Sequence, residues 1–325
     1  MRVRSAVPVI AAFALALGSA WGVAGPAQAT VTKAAANSAV AARAGSAASV
    51  VSSRTASPTI KHVVWILMEN HSYDKIIGVA KDAYLNSLAT TYGSANNAWG
   101  ITHPSVPNYL GLTSGLALTS LPTTDCTKCH QPGPDLFTQG ETWRSYLESM
   151  TAPCQANTPN ALYVPKHNPA LYFTDVAPSA CVANDLPYTS LATDLHNHTL
   201  PAFSYIAPNQ NDNMHSTGNL AGQAWLQAQL PALLTSTEFT SGSMVVFLMW
   251  DEGSPINEVA GADCTNSTVD NCHVPLLVLS THAHGVNYSG KLTHYSVLKA
   301  TEDILGLPEL GLAKTAADLR VAFGL

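Results

Sequence analysis

Charge is scarce in this sequence: of 325 residues only 11% are charged, with 15 basic residues against 21 acidic ones, and aromatics make up only 7%. Without a basic excess there is no cationic face for a phosphate backbone, so a nucleic-acid partner is excluded. No apolar run beyond Ala29 is long enough to span a bilayer, so no membrane anchor is expected in the mature chain. A second CxxC pair is also missing. The stretch Cys126-x-x-Cys129-His130 therefore lacks the partners for a tetrahedral zinc site, and no distal ligand supports a haem-attachment reading. Internal repeats are absent.

Apolar residues, at 46%, are sufficient for one large core. Met1 to Ala29 carries Arg2 and Arg4, an apolar run from Val7 to Leu17, and small residues ending in Ala27-Gln28-Ala29, which is the layout of a cleavable secretory signal. Its two arginines and no acid mean that cleavage takes the formal charge from -6 to -8. Residues 30–57, rich in Ala, Ser, Thr and Val, form a flexible leader, and one globular domain is expected over residues 58–325. Six cysteines in an exported chain imply disulfides. Neighbour pairing (126 with 129, 154 with 181, 264 with 272) is the simplest of the many connectivities that sequence leaves open.

Apolar runs of strand length recur at His62 to Met68, Ala202 to Ala207, Met244 to Trp250 and Val274 to Ser280, apolar on both faces as in strands covered by helices. Trp143, Tyr146, Leu147 and Met150 fall at helical spacing. Val297, Leu298, Thr301, Ile304 and Leu305 make a second stripe before Gly306 and Pro308. Alternating strands and helices predict an α/β sheet with helices on both faces. Long Pro-, Asn- and Gly-rich stretches at Pro122 to Pro134, Ala152 to Asn168 and Ser254 to Asn271 read as loops that line a site or are pinned by disulfides.

In open α/β sheets ligands bind beyond the carboxyl ends of the strands. Two of the most apolar strands run into Glu69-Asn70 and Asp251-Glu252, oxygen-bearing side chains suited to a hard divalent cation. In Thr102-His103-Pro104-Ser105-Val106-Pro107-Asn108-Tyr109 a helix can begin at Ser105. By spacing alone this serine reads first as an N-cap; beside a cation it becomes a nucleophile, with helix-terminal amides facing a phosphate. His103, His167 and His215 lie in polar loops, where they can donate to a phosphate or protonate a leaving group. Lys166-His167-Asn168 gathers three donors, whereas His62, His196 and His198 read as structural or surface residues.

The run Ile60-Lys61-His62-Val63-Val64-Trp65-Ile66-Leu67-Met68-Glu69-Asn70-His71-Ser72-Tyr73-Asp74 resembles the opening motif of the phosphoesterase family that holds bacterial phospholipases C and secreted acid phosphatases. The likeness continues through HPSVPNYLGLTSG, KHNP, NDNMH, FLMWDEG, HVPLLVLS and THYSVLKATEDILGLPELG, in the family's order, over nearly all of residues 58–312. It implies an alkaline-phosphatase-like three-layer sandwich with a central, mostly parallel sheet and helices on both faces. It also implies a metal site of Glu69, Asn70, Ser105, Asp251 and Glu252, with Ser105 as nucleophile. His103, His167, Asp212 and His215 match motifs that line the family's pocket, and His294 is matched without an assigned role. The long insertions and carboxy-terminal domains of the larger phospholipase members have no counterpart here, which points to the compact acid phosphatase branch.

The expectation is a secreted, metal-dependent hydrolase of small phosphoric monoesters. Ser105, His103 and His215 are its catalytic groups. Asn70, Lys166, His167 and Asp212 bind substrate, and calcium, magnesium or manganese is the favoured cation. One rival is a phospholipase C-type phosphodiesterase with a wider apolar pocket. Another is a non-catalytic phosphate or glycan binder, whose signature, loss of the metal ligands, is not seen in the sequence.

Overall fold

The computed structural model describes residues Thr59–Leu325; the signal and the leader, residues 1–57, fall outside the described residues. Among the described residues ten strands are formed: β1 His62–Met68, β2 Gly93–Ala95, β3 Ala98–Trp99, β4 Trp143–Leu147, β5 Asp185–Pro187, β6 Phe203–Ala207, β7 Met244–Trp250, β8 Leu276–Leu279, β9 Val286–Tyr288 and β10 Leu292–Thr293. Eight of them make one sheet in the order β5-β4-β6-β1-β7-β8-β2-β9, and β10 pairs with β3 in a small parallel ribbon. Only β8 runs against its neighbours in the large sheet. The rest is parallel, as expected for a doubly covered α/β sheet.

The alternation of side chains along β1 sorts the core into two layers. Val63, Trp65 and Leu67 face the helices Ser105–Ser114 and His294–Leu305, through Val106, Tyr109, Leu110, Val297 and Leu298. Val64, Ile66 and Met68 face the helices Ala83–Thr91 and Asn219–Leu234, through Leu85, Leu88, Leu226 and Leu230. Each such side chain contributes about 1.5–3 kcal/mol by leaving water. The indole of Trp65 meets its one polar need by donating to Thr301 Oγ1 at 3.0 Å. The His294–Leu305 helix opens with a Thr293/Ser296 capping box and closes at Gly306 in the left-handed region (φ 70°), as the Gly-x-Pro stop signal predicts.

The segment at Trp143 is a correction. Its spacing predicts a helix, but residues 143–147 form β4, held between β5 and β6. A strand buried on both faces carries apolar residues at consecutive positions, so helical spacing arises in it by coincidence. The disulfides are Cys126–Cys129, Cys154–Cys181 and Cys264–Cys272, each staying within or closing onto one of the three long loops. With Cys126 and Cys129 bonded to each other, the metal and haem readings of that motif fall away. Among the described residues no helix is long and apolar enough to cross a membrane.

Asp185, buried at the start of β5, accepts from Asn168 Nδ2 at 2.8 Å, while its other oxygen has no partner among the described residues. Burial pushes its carboxyl up to about 7, against the Asn168 bond that lowers it. The folded state thus holds this proton more tightly than the unfolded chain. Stability present at acid pH is lost as pH rises from about 4 through about 7. Asp185→Asn should flatten that loss and stabilise the protein above neutrality by about 2–4 kcal/mol, measured by denaturant unfolding across the pH range.

Candidate active site

Strands β1 and β7 are parallel neighbours in register, Met68 opposite Trp250. The next residues, Glu69 and Asp251, therefore leave the sheet side by side, and the Asp251 N–H still bonds Met68 O at 3.0 Å. By parity both follow Leu67 and Met249 toward the face covered by the Ser105–Ser114 helix. Three carboxylates result within one buried group, with ligand atoms of Glu69, Asp251 and Glu252 all inside 4.8 Å of one another.

Two backbone features fix this group. Asn70 adopts a left-handed conformation (φ 56°), one that asparagine tolerates better than most residues, and so aims its N–H at Asp251 Oδ1 (3.2 Å). Gly253 follows the second acid pair where the chain passes against Asn271; a Cβ there would lie 2.1 Å from the Asn271 carbonyl oxygen. Any side chain at this position would push Glu252 out of place.

Ser105 is the first residue of its helix, with Pro104 as the N-cap. Its hydroxyl turns away from the helix backbone and lies 3.1 Å from both Glu69 Oε2 and Glu252 Oε1. The N-cap reading of this serine is thereby corrected. His103, also buried, places Nδ1 2.5 Å from Glu252 Oε2. His167 brings Nε2 to 2.9 Å from Glu69 Oε1, and Tyr109 donates its hydroxyl to that same oxygen. His294 donates Nε2–H to the Asp251 carbonyl at 2.6 Å, which identifies what this residue does: it anchors the backbone of the acid pair. Burial holds the His294 imidazole down at about 4, so it stays neutral.

Electrostatically the acids divide. Burial alone would raise Glu69, but His167, Lys166 and the Tyr109 hydroxyl together bring it down to about 2. Burial and the neighbouring carboxylates push Asp251 well above the usual range. Burial and the Glu69 charge take Glu252 up to about 7 despite His103. Three buried carboxylates cannot all ionise without a compensating charge.

Other expected residues lie further out. Lys166 pairs with Asp125 at 2.7 Å. His215 is at the surface, its ring 6.2 Å from that of His167. Asp212 lies near Glu148, whose carboxyl burial and then the Asp212 charge push upward. Asn168 leaves the donor tripeptide altogether and is spent on Asp185 and Tyr163. Sequence reasoning missed Tyr109, four residues and one helical turn beyond Ser105, and Asp125. The latter accepts the Val106 N–H at 3.0 Å and so takes one of the helix-terminal amides expected to face a phosphate.

The phosphoesterase family profile matches residues 80–308. A phosphatidylinositol-3-phosphatase of Mycobacterium tuberculosis is 29% identical, over 83% of this chain and 85% of its own length. A phosphate-repressible acid phosphatase of Penicillium chrysogenum is also 29% identical, over 78% of this chain but only 61% of its own. In fold the chain is similar to a Vibrio parahaemolyticus protein of the alkaline phosphatase superfamily, with a TM-score of 0.51 and 12% identity over 77% of this chain and 68% of the other. The matched profile spans most of the described chain, including Ser105, Asp251 and Glu252, and the chain belongs to the phosphoesterase family of phosphoric ester hydrolases.

Proposed function

We propose that this chain is an exported, metal-dependent phosphomonoesterase that uses Ser105 as its nucleophile. The observation that carries the reading is the position of the Ser105 hydroxyl, 3.1 Å from two carboxylates of a buried three-acid group. A structural serine does not need such company.

The donor set fits a divalent cation. Turned with its nitrogen inward, the Asn70 amide would donate to Glu69 Oε2 (2.9 Å) and Glu252 Oε1 (3.1 Å). Turned with its oxygen inward, it joins those carboxylates in an all-oxygen set that a cation would satisfy. Asp251 Oδ2, buried without a hydrogen-bond partner among the described residues, offers a further ligand atom. Glu69, Asn70, Ser105, Asp251 and Glu252 would hold the ion, and hard oxygen ligands favour calcium, magnesium or manganese. When bound, a divalent cation supplies charge neutralisation at phosphoryl oxygens and acidifies an adjacent hydroxyl.

The chain's own groups account for the rest. Ser105 Oγ passes its proton to the Glu252 carboxylate 3.1 Å away and forms a bond to phosphorus as the ester P–O bond breaks, the leaving alkoxide takes a proton from a histidine, and the Glu252 proton returns to the serine when the phosphoserine is cleaved. His215, at the surface beside His167, is better placed for that transfer than His103, which is buried and committed to Glu252. Partial desolvation lowers the His215 pKa even though the residue reaches the surface, so its protonated form belongs to mildly acidic pH. Water then cleaves the phosphoserine and restores Ser105. Lys166, though paired with Asp125, adds positive charge near the site, and His167 lies against Glu69 where its ring can also reach a phosphoryl oxygen. The three disulfides suit an oxidising destination.

A substrate panel tests the reading. With divalent metal at mildly acidic pH, p-nitrophenyl phosphate should exceed bis(p-nitrophenyl) phosphate in kcat/KM by about a hundredfold. A preference for the diester, or for phosphatidylcholine, would favour the phospholipase C-type reading, and absence of turnover on all three would favour a binder.

A further inference from the structure

A cavity of about 470 Å³ opens beside the acid group, between the segment that follows β1 and the one that follows β7. Asn70, whose amide contacts the carboxylates, is part of its lining, so the cavity connects with the site itself. Its volume falls within the ordinary range for small-ligand sites, about 300–1,000 Å³. The pair Lys75 and Lys81 makes its rim basic in a chain with an acidic balance, and His71 and His215 add imidazoles to the lining. Lys75 is partly neutralised by its contact with Asp74. Lys81 is exposed and has no ion-pair partner among the described residues. His71 donates Nδ1–H to the Glu69 carbonyl at 3.0 Å, which fixes its ring and leaves Nε2 without a partner among the described residues.

We infer that this cavity receives the leaving group of the ester, and that Lys81, assisted by Lys75, selects leaving groups carrying a second phosphate. The inference rests on the reading above, in which the phosphoryl group under attack sits at Asn70 and Ser105. A group bonded to that phosphorus has this cavity to enter. A simple aryl or alkyl leaving group would gain little from the lysines, whereas a phosphorylated sugar or polyol would bring to them a charge of opposite sign. An unpaired ammonium at the edge of a cavity gains from such a charge more than a lysine already held in an ion pair. These lysines touch none of the reacting atoms, so they set specificity and not the chemical step.

The test compares fructose 1,6-bisphosphate with fructose 6-phosphate and p-nitrophenyl phosphate, with magnesium, calcium and manganese supplied in turn. In Lys75→Ala/Lys81→Ala, kcat/KM for the bisphosphate should fall about tenfold through KM, while that for p-nitrophenyl phosphate moves less than about twofold. Lys81→Ala alone should give part of the effect and Lys81→Arg should retain most of the wild-type value. Calorimetric binding to Ser105→Ala supplies a readout without turnover: the bisphosphate should bind about tenfold more tightly than the monophosphate, and adding the two lysine substitutions should erase the difference. Equal losses on all substrates, or an unchanged preference in the double variant, would overturn the inference while leaving phosphomonoester hydrolysis standing. Failure of the wild-type chain to hydrolyse any of them, with the binding preference intact, would overturn the hydrolase reading and leave the anion-selective cavity standing.

Discussion

Ser105→Ala is expected to fold normally and to lose at least about a thousandfold in kcat, because no neighbouring group can replace the oxygen that bonds to phosphorus. The stability change should stay within about 2 kcal/mol, since what is lost is one hydroxyl hydrogen bond. The helix start is not at risk: Pro104 is the N-cap and the serine side chain makes no capping bond. The variant should still bind inorganic phosphate or vanadate in the presence of a divalent cation. Wild-type enzyme quenched in acid during turnover should carry phosphate on the peptide that contains Ser105. A well-folded variant that keeps more than about a tenth of wild-type kcat removes the serine from the mechanism, because loss of an essential nucleophile costs far more.

Removal of metal should have the second-largest effect. Glu69, Asp251 and Glu252 share one buried group, and burial, with the charge of the neighbouring carboxylates, pushes Asp251 and Glu252 upward, a displacement that a cation would relieve. Chelation should bring turnover down to about a hundredth or less, and add-back of the right divalent ion should restore it. The same ion should raise the unfolding temperature in a concentration-dependent way, by about 2.7 kcal/mol of stability at a hundred times its dissociation constant. Both effects should weaken in acid, where protons compete for the carboxylates. Asp251→Asn should lose the thermal shift together with activity. Full turnover in thoroughly chelated protein, with no thermal response to calcium, magnesium or manganese, would falsify the metal assignment.

Much of the fold is legible in the sequence because β1, β6, β7 and β8 are buried on both faces and appear as apolar runs, interrupted within a strand only at Ser204 of β6. The same property hides β4, whose apolar residues happen to fall at helical intervals. The acid pairs are legible as polar residues that end the two most apolar strands. Their adjacency is not, since it depends on the strand order that sets β7 beside β1, information spread over the whole chain. Tyr109 escapes notice because a tyrosine on a buried helix face looks like core, and its hydroxyl acquires meaning only from Glu69. Asp125 escapes because it lies in a loop whose path is set by the contacts it makes, with Val106 and Lys166. The histidines are legible as a group, yet the sequence does not separate His103, committed to Glu252, from His215 at the surface.

The register of β1 against β7 has a consequence for how the protein comes into being. The residues that meet there, Met68 and Asp251, lie 183 positions apart, and the pairing occupies the middle of the sheet instead of its edge. A chain still emerging has one carboxylate of the group and the serine, but not the other two acids, until its final third is available. Long-range parallel pairing of this kind is slow to form, and no local segment can assemble the group alone. Catalytic competence should therefore appear in refolding only with the central sheet, and should vanish in unfolding together with it. With Ser105 and the three acids as the catalytic group, activity should be a readout of global folding, absent from the nascent chain until it has its final topology.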